Sequence, residues 1–123
     1  MITQITGLPE NMVGFKANED ITESDFTNLV IPKVEEFIKR TGKLNYILVL
    51  ETPISHFSIG AWFKDAVMGM KNLSKWHRAA IVSDVEAIRN FTDLFSKVMP
   101  GEFKGFEHKH LQQAIDWTSE ETI

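Results

Sequence analysis

Apolar and polar positions alternate in two different rhythms along this chain, and the switches between them outline its elements. The opening "MITQITGL" sets Ile2 and Ile5 among small polar residues and reads as a strand. "NMVGFKAN" reads as a second strand, with Pro9, Glu10 and Asn11 between them as a hairpin turn. The rhythm then becomes helical. Phe26, Leu29, Val30, Val34, Phe37 and Ile38 form one apolar stripe, with Thr22 and Asp25 at its start and Gly42 as its stop. Pro32 inside the stripe marks a kink or the true first turn. "LNYILVLET" is almost continuously apolar and predicts a central strand buried on both faces.

A helix is predicted over residues 58–73, then a buried strand in "HRAAIVSD". Asp84 caps a helix whose Ile88, Phe91, Phe95, Val98 and Met99 share a face; Pro100 and Gly101 end it. "EFKGFE" predicts a last strand and "KHLQQAIDW" a last helix. The order ββαβαβαβα predicts an α/β fold: a mixed sheet of about five strands flanked by about four helices. With 123 residues and neither repeats nor linkers, the chain reads as one domain over residues 1–123.

The helix over residues 58–73 has two apolar sides. Ile59, Trp62, Phe63, Ala66, Met70 and Leu73 make a broad stripe, while Phe57, Ala61 and Met68 lie nearly opposite. One side belongs on the sheet. The other needs a neighbouring helix, a second copy of the chain, an apolar ligand or a bilayer surface. A ligand pocket between this helix and the next would be walled by Trp62, Phe63, Val67, Phe91 and Phe95. The helix runs into "KNLSKWHR". There Lys71, Lys75, His77 and Arg78 surround Trp76, a pattern suited to lipid phosphates at a membrane surface, although a solvated helix end is the plainer reading.

Those segments carry a resemblance. "IGAWFKDAVMGMKNLSKWHRAAIVSD", "LVIPKVEEFI" and "LFSKVMPGEFKGFE", in this order of elements, resemble the SpoIIAA-like family of the STAS-domain superfamily, the fold of anti-sigma-factor antagonists. The resemblance spans essentially the whole chain and rests on soft patterns of apolar and small residues. It implies a regulatory or ligand-binding role and no known reaction. In phosphorylatable antagonists the switch is a Ser directly before Gly at the start of the second helix. Here "HFSIGA" keeps Gly60 but places Ile59 before it, so Ser58 serves as a switch only if the register shifts by one residue. The plainer reading of Ser55 and Ser58 is helix capping.

Composition narrows the chemistry. Thirteen basic against 17 acidic residues give a net charge of −4, which argues against general nucleic-acid binding. The absence of cysteine excludes disulfides and thiolate metal sites. His108 and His110 lack a third ligand nearby, so no metal or other cofactor is expected. His56 and Ser58 lack the first Gly of a nucleophile elbow, and no Gly-rich phosphate loop is present. "MITQITGLPE" does not read as a secretory signal, and no apolar run approaches the roughly 20 residues of a membrane span.

The expectation is a non-enzymatic cytoplasmic module, peripheral at the inner face of the membrane if it meets lipid. It would bind an apolar small molecule or lipid headgroups through the second and third predicted helices. The alternative is a protein-interaction module with Ser58 near its interface; a homodimer fits either.

Overall fold

The computed structural model describes residues 2–18, 24, 26–51, 76–84, 86–95, 97 and 101–120. Five strands form one sheet in the order β1-β2-β3-β4-β5: Ile2–Gln4, Val13–Ala17, Leu44–Leu50, Trp76–Val82 and Glu102–Phe106. The first pair is antiparallel, with Ile2 opposite Ala17, and its loop closes where the Met12 N–H donates to the Pro9 carbonyl at 3.2 Å. The other three pairs are parallel, so the sheet is mixed, as the order of elements predicts. Every residue of β3 is buried, which is why its sequence is apolar without alternation.

Three α-helices lie among the described residues: α1 (Ile31–Thr41), α2 (Glu86–Phe95) and α3 (Leu111–Ser119). They correspond to the first, third and fourth predicted helices. The predicted helix over residues 58–73 lies outside the described residues. Pro32 lies at the start of α1, directly after a π-turn over Phe26–Val30. Proline has no N–H to donate back to Asn28, so the chain reaches α1 through a wider turn and does not run as one unbroken helix. Gly42 ends α1 at φ 87°, and its N–H donates to the Ile38 carbonyl at 2.7 Å.

Strands added successively in one direction by crossovers of one hand put their helices on one face. Val30, Val34, Phe37 and Ile38 of the first helical stretch are buried on the front face against Phe15, Tyr46, Leu48 and Leu50. Each such side chain contributes on the order of 2 kcal/mol. Helix α2 packs on β5 on the same side, where Gly105 brings the two backbones together. An aromatic ladder crosses this face from strand to strand. Phe15 and Tyr46 centroids are 5.9 Å apart, Tyr46 and Trp76 6.0 Å, and Trp76 and Phe103 5.3 Å in a stack.

Among the described residues, helix α3 alone lies on the back face, against β3 and β4. The core there is Met12, Ile47, Val49, Ala80, Val82, Phe106 and Ala114.

Candidate functional site

Among the described residues, one helix lies on the back of the five strands and covers only part of it. Helix α3 covers β3 and β4, and the loop over residues 5–12 lays Leu8 and Met12 over the start of β2. Between them an open groove of about 540 Å³ remains. Its apolar lining is Ile5 and Leu8 of the loop and Leu111 and Ile115 of α3, over the buried Ile47 and Val49 of β3. Leu111 stands at the lip, 38% exposed. Thr3, Gln4, Thr6, Lys16, Glu51 and His108 form the polar rim. A mostly apolar concavity of this size with a few polar groups is the usual form of a binding site. A second cleft, about 570 Å³, separates the β1–β2 loop from α1; Lys33, Glu36 and Arg40 give it a charged wall.

The rim is electrostatically mixed. Lys16 Nζ is 4.0 Å from Glu51 Oε1, both side chains nearly half exposed, so this pair adds little stability. At the other end Asp84 holds His108 twice. The His108 backbone N–H donates to Asp84 Oδ1 at 3.0 Å, and His108 Nδ1 lies 3.3 Å from Oδ2. That backbone N–H is the main reason the Asp84 carboxyl sits below its ordinary pKa. The ring nitrogen facing away, Nε2, is buried without a hydrogen-bond partner. The residues of "HKH" form a 3₁₀ turn, and among the described residues no group of three or more His, Asp or Glu could hold a metal.

The far end of α3 is tied down by a buried arginine. Arg78 Nε donates to Glu102 Oε2 at 2.9 Å and Nη1 to the Trp117 carbonyl at 2.7 Å. Nη1 is also 3.5 Å from Glu120 Oε2, and the guanidinium lies 4.9 Å from the Trp117 ring centroid. A cation on the last carbonyls of a helix also complements its dipole. Beside it runs a polar chain. Asn11 Nδ2 donates to the Ser119 carbonyl at 2.6 Å, Asn45 Nδ2 to the Asn11 carbonyl at 2.9 Å, and His77 Nδ1 lies 2.7 Å from Asn45 Oδ1. Partial burial, then Lys43 and Arg78, hold the His77 imidazole below its ordinary pKa, although Glu102 pulls it upward. Neutral His77 then carries its proton on Nδ1 and donates it to Asn45.

Two expected membrane contacts are therefore corrected. Trp76 and Arg78 belong to β4, where Trp76 is 5% and Arg78 8% exposed. The physical reason is an irregularity in the β3–β4 pairing. Leu44 pairs with Trp76 but Asn45 with Arg78, so His77 is an extra residue. The step leaves Trp76 stacked on Phe103 on the front face while Arg78 meets Trp117 of the back-face helix. The remaining expectations fall elsewhere. Ser55, Ser58, Trp62, Phe63, Val67, Lys71 and Lys75 lie outside the described residues, and Phe91 and Phe95 fall in the helical backbone of α2.

A family profile described as SpoIIAA-like matches residues 12–119. Among solved structures, the chain is similar to an uncharacterized protein from the DUF3478 family with a SpoIIAA-like fold, from Shewanella loihica PV-4. The two are 26% identical, with a TM-score of 0.63 covering 95% of this chain and 93% of that one. None of the curated proteins matches it.

Proposed function

The chain belongs to the SpoIIAA-like family, and we propose that it is a non-enzymatic regulatory module that binds a protein partner through the groove beside α3. The observation that carries this reading is the groove itself: an apolar floor of half-buried Ile5, Leu8 and Ile115, with Leu111 exposed at its edge. An extended or helical segment with a few apolar side chains would bury that floor, and the polar rim would fix its direction.

The test is an affinity pull-down comparing wild type with Leu111→Asp. Leu111 is already partly exposed, so the variant keeps its fold while placing a charge at the lip of the groove. A partner retained by wild type and lost at least about tenfold by the variant is the expected result. An identical set of bound proteins from both would sink the reading.

The composition of residues 57–75 favours a second reading, an apolar ligand or membrane surface met by the second and third predicted helices. Trp62, Phe63, Val67, Phe91 and Phe95 would make the apolar contacts, and Lys71 and Lys75 the phosphate contacts. Salt-sensitive sedimentation with anionic vesicles, unchanged in Leu111→Asp, would favour this reading over the groove.

A further inference from the structure

We infer that α3 is a releasable flap, latched by polar contacts at its two ends, and that its opening regulates access to the back face of the sheet. This rests on reading the groove as the recognition surface, because α3 is one of its walls.

The first observation is that, unlike α1, the helix has no large apolar side chain fully buried. Its sheet-facing residues are Ala114, Ile115, Trp117 and Thr118, with Ile115 and Trp117 half-buried against the back-face core and the Trp117 ring 5.8 Å from that of Phe106. Only Ala114 and Thr118 are fully buried, and the Thr118 hydroxyl is satisfied within the helix by the Ala114 carbonyl at 2.7 Å. Helix α1, by contrast, buries Val34, Phe37 and Ile38. The second observation is where the polar contacts fall. Asp84 grips His108 just before the helix begins. Arg78 and Asn11 grip the carbonyls of Trp117 and Ser119 at its end. The third is what lies beneath. Ile47, Val49, Ala80, Val82 and Phe106 form a continuous apolar surface across β3, β4 and β5.

A helix whose fully buried positions are small, and whose ends are fixed by polar contacts, opens as a unit once the ends let go, at a lower free energy than the sheet beneath it. Closed, it leaves a groove for one segment; open, it exposes a face able to take a larger one. Loss of Asp84–His108 or of the Arg78 cluster therefore controls how much surface a partner meets.

Hydrogen exchange followed by mass spectrometry on the full chain, without partner, tests this. Amides of residues 112–119 are expected to exchange about tenfold or more faster than those of β3. The variant Asp84→Ala with Asn11→Ala removes the acceptor that holds His108 and the donor that holds the Ser119 carbonyl, both outside the apolar core. It is expected to speed α3 exchange by about a further tenfold while β3 and β4 stay unchanged. Equal protection of α3 and β3 in wild type would overturn the flap. So would a variant that accelerates α3 and the sheet by one common factor, since the helix would then open only with the whole fold. Fast α3 exchange that the variant leaves unmoved would assign the motion to fraying and remove the latches. All three outcomes are independent of the Leu111→Asp pull-down, so failure of the flap and failure of the groove as a recognition surface are separately visible.

Discussion

Above pH 10 the fold is expected to lose stability steeply, and the chain's one tyrosine to report the loss directly. Tyr46 is 1% exposed, its hydroxyl has no hydrogen-bond partner among the described residues, and burial alone pushes the phenol's pKa far above its ordinary value of 10.0. The folded state therefore keeps its proton at pH values where the unfolded chain gives it up. With more protons bound to the folded form, stability falls as pH rises above 10. This group alone contributes a slope approaching 1.4 kcal/mol per pH unit. Below pH 10 the phenol is protonated in both states and contributes no slope. Because Tyr46 is the only tyrosine, tyrosinate absorbance and loss of circular dichroism should rise together in an alkaline titration. Tyrosinate appearing near pH 10 with the circular dichroism intact would show that the hydroxyl reaches water. Tyr46→Phe removes a buried group that pairs with nothing. It is expected to raise stability at pH 7 by about 1 kcal/mol and to abolish this part of the alkaline slope.

The second large effect is expected at Gly105. A Cβ built there would lie 2.8 Å from both Cα and Cβ of Arg89, so α2 rests directly on the bare backbone of β5. Arg89 has little freedom to withdraw. Its Nη1 donates to the Ser83 carbonyl at 2.9 Å, and Nη2 lies 3.7 Å from Glu107. The Gly105 N–H, on the outer edge of the sheet, donates to Asp93 Oδ1 at 3.1 Å, and this bond also requires α2 at its present distance. Gly105→Val is expected to cost about 2–3 kcal/mol through overpacking and displacement of α2. Urea denaturation would show it as a lower midpoint at unchanged slope. A loss of no more than about 0.5 kcal/mol, the range of ordinary surface substitutions, would show that α2 moves freely on β5.

The order of elements is legible in the sequence because each element carries its own local signal. The continuous apolarity of residues 44–50 announces a strand buried on both faces, and Gly42 announces a left-handed helix stop. Pro32 reveals a break but not its form, since a π-turn differs from an α-turn by a hydrogen bond that no residue type specifies. Arg78 misled for a related reason. Beside Trp76, His77 and Lys75 it looks like part of a basic surface, and its burial becomes intelligible only with Glu102 and Glu120 in place. Those partners come from β5 and from just past α3, far along the chain. The groove was missed altogether. Its walls come from the β1–β2 loop, β3 and α3, and no local periodicity joins Leu8, Val49 and Ile115. The one local trace is the weak stripe of α3, whose fully buried positions hold the small Ala114 and Thr118 while the larger Ile115 and Trp117 are only half-buried.

Photo-crosslinking in the protein's own cells tests the central claim most directly, with the reactive side chain placed at position 111 in one version and at Glu36, on the exposed side of α1, in the other. The account predicts a discrete crosslinked protein partner from position 111 and none from position 36. Crosslinks from position 36 with none from position 111 would contradict it, and would move recognition off the back of the sheet to its opposite face.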